Sequence, residues 1–158
     1  MPKLKNSTGF TLVEILVVIS VIGILISMIT SSFSSSQRQA RDTARKSDMS
    51  QYRTSLESYA NKNEGLYPSY PSRISPSPTL CTPLGLGTTC PEDPKNSVSD
   101  TFYYSYISDG LGGGATTATI YVLWAKLENI SPTTYWVVCS NGKSGKVTIN
   151  PTSGTCPI

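Results

Sequence analysis

The sequence contains no histidine among its 158 residues. This absence excludes histidine-based catalytic triads, histidine general bases and histidine metal ligands. Charge is also scarce, because acidic and basic residues make up only 15% of the chain and the formal net charge is +3. Lys3 and Lys5 supply part of that charge ahead of an apolar block, so the rest of the chain is close to neutral. This balance predicts no specific nucleic-acid partner, and the residue set predicts neither an enzyme nor a cofactor.

No C-x-x-C pair occurs among the four cysteines, which are Cys81, Cys90, Cys139 and Cys156. This spacing argues against a zinc ribbon or a thioredoxin-type site. An even number of cysteines fits two disulfides formed in an oxidising compartment, for which three pairings are possible. We predict the sequence-local pairing, Cys81–Cys90 with Cys139–Cys156. Four reduced, buried thiols are the alternative.

An apolar run of twenty residues, from Phe10 to Ile29, contains a single charged residue, Glu14. As a helix it would measure about 30 Å, which matches the hydrocarbon core of a bilayer. A secretory signal peptide is one interpretation, although the run is long for such a segment and no A-x-A-like site closes it. A plain single-span anchor is another. Neither explains Glu14, because a charge at the centre of a membrane helix costs about 2.5–3.5 kcal/mol.

The N-terminal sequence MPKLKNSTG followed by FTLVEILVVISVIGILI resembles the leader and first helix of type IV prepilins and type II secretion pseudopilins. The shared pattern is a short basic leader ending in Gly9, then Phe10, an acid at Glu14 and an apolar helix. The resemblance implies cleavage between Gly9 and Phe10 by a prepilin peptidase, with N-methylation of the new Phe10 amine. It also implies that Glu14 pairs with the Phe10 amine of a neighbouring subunit, since opposite charges in an apolar bundle offset part of each other's desolvation.

The function that this resemblance implies is that of a structural subunit in a type IV pilus-like or type II secretion pseudopilus filament. Its expected partners are copies of itself, other pilins, the prepilin peptidase, a membrane platform protein, an assembly ATPase and membrane lipid. The expected location is the cytoplasmic (inner) membrane, as a single-pass protein with its C-terminal domain outside, and then a periplasmic or extracellular filament. The alternative is a membrane-anchored extracellular binding module that does not polymerise, which would have no use for Glu14 or for the junction at Gly9.

Helix is predicted to continue beyond the apolar run, from Phe10 to about Glu64, with Gly65 and Pro68 ending it. Apolar residues spaced three or four apart predict one buried stripe on this continuation. They are Met49, Tyr52, Leu56 and Tyr59, with Ala40 and Ala44 upstream. A second face carries Arg38, Arg41 and Arg45, for which we expect contact with lipid headgroups or with acids of adjacent subunits; a groove that attracts DNA is the alternative.

The C-terminal part is predicted to form strands, after a proline-rich connection. The expected strands are Thr101–Ile107, Thr117–Asn129, Thr133–Ser140 and Lys146–Asn150. Asp93, Asp100 and Asp109 are possible calcium ligands by chemistry, but they lack a ligand spacing, and no metal site is assigned.

The predicted fold is α+β, with a long N-terminal helix, membrane-spanning in its first half, packed on a four-stranded antiparallel sheet as in type IV pilins. The expected segments are a leader peptide (1–9), a transmembrane or filament-core helix (10–30), its amphipathic continuation (31–65), a proline-rich connection (66–100) and an antiparallel sheet with a C-terminal disulfide-bounded loop (101–158).

Overall fold

A single long helix, α1, runs from Leu12 to Lys62. The computed structural model describes residues 9–88, 90–96, 101–128 and 131–158, with the backbone alone described for 28–32. The chain divides into two units, one ending at Gln37 and one beginning at Arg38. Among the residues described, no helix is long and apolar enough to cross a membrane. The single-span interpretation of the apolar run therefore remains a prediction.

The end of α1 is set by Gly65, as the sequence predicts. Gly65 has a φ of +83° and donates its N–H to the carbonyl oxygen of Ala60 at 2.9 Å. The same carbonyl also accepts the N–H of Asn63 at 3.0 Å, so the last turn of the helix closes on Ala60. Glycine adopts the left-handed backbone that this requires without a steric cost.

Within the described residues, six strands and one further short helix follow α1. In chain order they are β1 (Tyr67–Pro68), α2 (Pro76–Thr79), β2 (Ser105–Ser108), β3 (Thr116–Ala118), β4 (Tyr121–Lys126), β5 (Tyr135–Cys139) and β6 (Ser144–Val147). The main sheet has the order β2-β4-β5-β6, and every neighbouring pair in it is antiparallel. β1 pairs with β3 in a separate antiparallel ribbon. The predicted α+β fold, a long helix packed on a four-stranded antiparallel sheet, is confirmed.

The strand predicted from Thr117 to Asn129 is wrong as one element, because it divides into β3 and β4. Between them, the backbone N–H groups of Thr119 and Ile120 donate to Oδ1 of Asp109, at 2.7 and 3.0 Å. Amides held by a carboxylate cannot join a strand ladder, so the chain turns there. Asn129 lies outside the described residues.

The other predicted strands are confirmed in place but not in extent. The strand predicted from Thr101 begins only at Ser105, and the Phe102 ring instead lies 5.0 Å from the guanidinium carbon of Arg45. The hairpin between β5 and β6 is tighter than predicted, since the N–H of Cys139 donates to the carbonyl of Lys143 at 3.0 Å. β6 therefore starts before the predicted Lys146.

The inner face of the sheet packs on the buried stripe of α1. Met49, Tyr52 and Leu56 are fully buried there, as predicted, and Tyr59 is half-buried against the same cluster. The sheet contributes residues from β2, β4 and β5, namely Tyr106, Tyr121, Leu123, Ala125 and Val138.

The predicted upstream part of this stripe is wrong. Ala40 is exposed and Ala44 is only half-buried, whereas the buried positions are Asp42 and Arg45. The 3.6-residue period therefore continues through charged residues rather than through the alanines.

The Arg45 side chain is fully buried among three carboxylates. Its Nε and Nη2 donate to Asp93 at 2.6 and 2.8 Å, and its Nη1 donates to Asp42 at 2.6 Å. Nη2 also lies 2.8 Å from Oε1 of Glu128. Because these acids belong to α1, to the proline-rich connection and to the residues after β4, one guanidinium holds three segments of the chain together.

Two more cations complete this group, which we call the ion cluster. Arg41 donates twice to Glu128, at 2.6 and 2.7 Å, and Nζ of Lys95 lies 2.9 Å from the same carboxylate. The expectation that Arg41 and Arg45 contact lipid headgroups or neighbouring subunits is therefore wrong. Their partners lie in the same chain, far away in sequence, while Arg38 stays exposed.

The outer face of the sheet, turned away from α1, has its own apolar cluster. It consists of Ile107, Val122, Trp124, Val137 and Cys139, with Cys156 and Ile158 of the C-terminal segment packed against it. Both predicted disulfides, Cys81–Cys90 and Cys139–Cys156, are confirmed. The second fastens the C-terminal segment to β5.

Replacing both Cys139 and Cys156 by serine is expected to lower the free energy of unfolding by about 3 kcal/mol, since the bridge closes a loop with a sequence separation of 17. Urea unfolding of the full chain in detergent, followed by tryptophan fluorescence, measures this loss. Trp124 is a suitable reporter because it is buried beside this bridge. A loss below about 1 kcal/mol would contradict the stabilising role assigned to the bridge.

Glu128→Gln is expected to remove a pH-dependent stabilisation. Hydrogen bonds from Arg41, against the opposing effect of burial, lower the pKa of Glu128 from 4.5 to about 2. A carboxyl whose pKa is lower in the folded chain than in the unfolded chain stabilises the fold at pH values above the unfolded pKa. That contribution disappears as the pH falls through the folded pKa. The variant should therefore lose about 3 kcal/mol at pH 7.

The difference between wild type and Glu128→Gln should shrink between pH 4.5 and about 2, as measured by urea unfolding across that range. Glu64→Gln removes an exposed acid just after α1 and controls for the loss of one charge. A difference that stays constant with pH would show that the carboxylate of Glu128 is not the source of the stabilisation.

Candidate functional site

The start of α1 is held by a reciprocal contact between Thr11 and Glu14. The backbone N–H and the hydroxyl of Thr11 both donate to Oε2 of Glu14 at 2.8 Å. The N–H of Glu14 in turn lies 3.3 Å from the Thr11 hydroxyl oxygen. This is a capping box, in which a threonine before the helix and an acid three residues later satisfy backbone N–H groups that have no partner within the helix.

The capping box gives Glu14 an intramolecular role that was not predicted. Its sequence signal is present, because Thr-Leu-Val-Glu has the spacing of a threonine followed by an acid three residues later. Replacing a capping threonine by alanine costs about 0.5–2 kcal/mol of helix stability. Both described contacts to the carboxylate use Oε2, so within the described chain Oε1 of Glu14 accepts no hydrogen bond.

The junction between Gly9 and Phe10 lies just before α1, in backbone that is neither helix nor strand. Gly9 is exposed, and the Phe10 side chain is 86% exposed. Exposed irregular backbone is the kind of substrate that proteases cut. The leader before Gly9 lies outside the described residues.

Exposed apolar side chains begin at Phe10, just before α1, and cover the first part of that helix on every side. Their exposed fractions run from 48% at Ile22 to 86% at Phe10. They are Phe10, Leu12, Val13, Ile15, Leu16, Val17, Val18, Ile19, Val21, Ile22, Ile24, Leu25 and Ile26. A helix that is apolar all round belongs in a protein core, a membrane or a bundle of such helices, not in water.

The serines on this segment add little polarity, because their hydroxyls bond to carbonyls of the same helix. Oγ of Ser20 donates to the carbonyl of Leu16 at 2.7 Å, and Oγ of Ser27 donates to that of Ile24 at 2.7 Å. Such bonds satisfy a hydroxyl without water. Glu14 is therefore the one charged residue on an otherwise apolar surface.

The aspartates considered as calcium ligands serve other contacts. Asp93 binds Arg45 in the ion cluster. Burial opposes ionisation of Asp109, but hydrogen bonds from Ile120 and Thr119 outweigh it and lower the pKa of the carboxyl. Asp100 lies outside the described residues. Across the described ranges, no group of three or more acids or cysteines could hold a metal ion.

A family model for the prokaryotic N-terminal methylation motif matches residues 4–30, which include Gly9, Phe10, Thr11 and Glu14. This is a pilin structural motif and not the signature of an enzyme family. No curated protein and no solved structure matches the chain. The matched motif, together with the helix-on-sheet fold, supports a type IV prepilin-like or pseudopilin-like precursor.

Proposed function

We propose that this protein is a structural subunit of a type IV pilus-like or type II secretion pseudopilus filament. Prepilin peptidase cleaves between Gly9 and Phe10, and the new Phe10 amine is methylated. The observation that carries the proposal is an exposed Gly9–Phe10 junction directly before the first part of α1, from Leu12 to Ile26, which is apolar on every side and has one acid, Glu14. The match to the N-terminal methylation motif supports the same route.

The apolar surface at the start of α1 implies that this segment is covered by two different environments in succession. Burying one large aliphatic side chain is worth about 1.5–3 kcal/mol, so a helix with this many exposed apolar residues cannot remain in water. Before assembly, membrane lipid covers the segment from Phe10 to Ile29. In the filament, the same segment of other subunits replaces the lipid. The protein is then a single-pass component of the cytoplasmic membrane that moves into a periplasmic or extracellular filament.

Glu14 has two compatible contacts in this proposal. Within the chain, its Oε2 holds the Thr11 cap. In the filament, the neighbouring subunit's cationic Phe10 amine approaches Oε1, which accepts nothing from the residues described. The cap keeps the carboxylate at the helix start, so the partner amine meets a carboxylate whose position is already set. Pairing offsets the desolvation of both charges and disfavours other axial positions of the two helices.

The assembly partners in this proposal are copies of this chain, other pilins, the prepilin peptidase, a membrane platform protein and an assembly ATPase. A non-polymerising membrane-anchored module remains the competing function. It would need the apolar helix but neither the junction after Gly9 nor the carboxylate of Glu14. Variants at the capping box therefore separate the two functions.

Glu14→Gln and Thr11→Ala form a matched pair for this test. Glutamine keeps the capping geometry and removes the charge, whereas alanine at position 11 removes the hydroxyl and keeps the charge. We expect both variants to be cleaved at Phe10. Glu14→Gln should form few or no filaments, because the neighbouring amine is left buried without its partner. Thr11→Ala should assemble close to wild type.

The readouts are the mass of the N-terminal peptide and the yield of filaments sheared from cells that carry the assembly machinery. Normal filament yield from Glu14→Gln would contradict the charge pairing. Equal loss of filaments in both variants would mean that helix capping, and not the charge, is what assembly requires. A wild-type chain that is never found in filaments would favour the anchored module.

A further inference from the structure

A cavity of about 200 Å³ opens on the outer face of the sheet. Register places its strand residues together, because Ser105 is opposite Trp124 and Lys126 is opposite Tyr135. Residues separated by two along a strand share a face, so Trp124 and Lys126 both lie on this side. The side chains that matter below are Arg73, Tyr103, Trp124, Lys126 and Tyr135.

The C-terminal segment leaves this cavity open. Its disulfide joins Cys156 to Cys139, and Gly154 packs against the backbone of Ser108 and Asp109. These contacts lie at the opposite end of β2, β4 and β5 from the cavity, given the strand register. Asn150 of this segment lies at the rim of the cavity, and the contacts at Cys156 and Gly154 hold that end of the segment away from the cavity.

The cavity is positively charged. Arg73 and Lys126 are the charged residues among those that line it, and neither has an ion-pair partner in the described chain. The guanidinium carbon of Arg73 lies 5.3 Å from the centre of the Tyr103 ring. Stacked in this way, a guanidinium keeps its edge available for two parallel hydrogen bonds, the arrangement that a carboxylate matches best.

The other walls of the cavity are aromatic, with Tyr103 and Tyr135 half-buried and Trp124 buried. The two half-buried tyrosine rings keep part of their surface accessible to a ligand.

We propose that this cavity binds the carboxylated sugar at the end of an acidic glycan. A sugar of the uronic acid type combines the two features that the walls require. Its carboxylate meets Arg73 and Lys126, and its flatter C–H face lies on the rings of Tyr103 and Tyr135. The volume suits a single sugar ring, because pockets for larger ligands measure roughly 300–1,000 Å³. The site lies within one chain and goes beyond the filament role proposed above.

The test is a titration of the full chain, in a detergent that contains no sugar, with D-glucuronate as the probe. Tryptophan fluorescence is the readout because Trp124 lines the cavity. We expect saturable binding with a Kd on the order of 1 mM, which is typical of a small, weakly binding ligand. D-glucose, which has the same ring without the carboxylate, should bind at least about tenfold more weakly.

Variants assign the contacts. Arg73→Gln and Lys126→Gln should each raise the Kd for glucuronate by about tenfold, whereas Lys62→Gln, an exposed charge at the end of α1, should leave it unchanged. Retained unfolding midpoints in urea establish that these variants are folded.

Three results would overturn the proposal. The first is no saturable glucuronate binding up to about 100 mM. The second is an Arg73→Gln or Lys126→Gln variant that binds like wild type. The third is equally tight binding of acetate or inorganic phosphate, which would make the cavity a general anion site that does not select a sugar.

Discussion

The unit that begins at Arg38 depends on a fully buried guanidinium. Arg45 cannot shed its charge, and a buried charge is tolerated only when it is paired and hydrogen-bonded. Asp42, Asp93 and Glu128 supply that pairing from three separate segments. The helix, the proline-rich connection and the end of β4 must therefore meet at one point. Removing any one of these acids leaves the buried charge of Arg45 without full compensation. The fold of this unit therefore requires the ion cluster.

The fold class could be predicted because it rests on local patterns. The spacing of Met49, Tyr52 and Leu56 identifies the buried helix face, and Gly65 identifies its end. The same spacing continues upstream to Asp42 and Arg45, but charged residues are normally assigned to solvent. Their burial follows from acids at positions 93 and 128, which no local pattern connects to the helix. Likewise, the division of β3 from β4 depends on Asp109, a residue ten positions before the break.

The N-terminal motif could be identified from the sequence, since Gly9, Phe10 and Glu14 lie within six consecutive residues, while the cleavage, methylation and pairing roles of these residues stay predictions. The contact between Thr11 and Glu14 has an equally local spacing, but an acid in an apolar run also has the pattern of a functional charge, and spacing alone does not separate the two roles. The cavity on the outer face is different in kind. The residues that line it are spread along the chain from Arg73 to Asn150. Only the strand register and the disulfide-bonded C-terminal segment bring them together.

The filament proposal is tested most directly by intact-mass and N-terminal analysis of the protein recovered from its native membrane or from shed filaments. The proposal predicts a chain that begins at Phe10 and carries one additional methyl group on its amine. A chain that still begins at Met1, in cells with active prepilin peptidase, would contradict it. The protein would then be a membrane-anchored domain, and Glu14 would be the capping residue of its helix without a partner in another subunit.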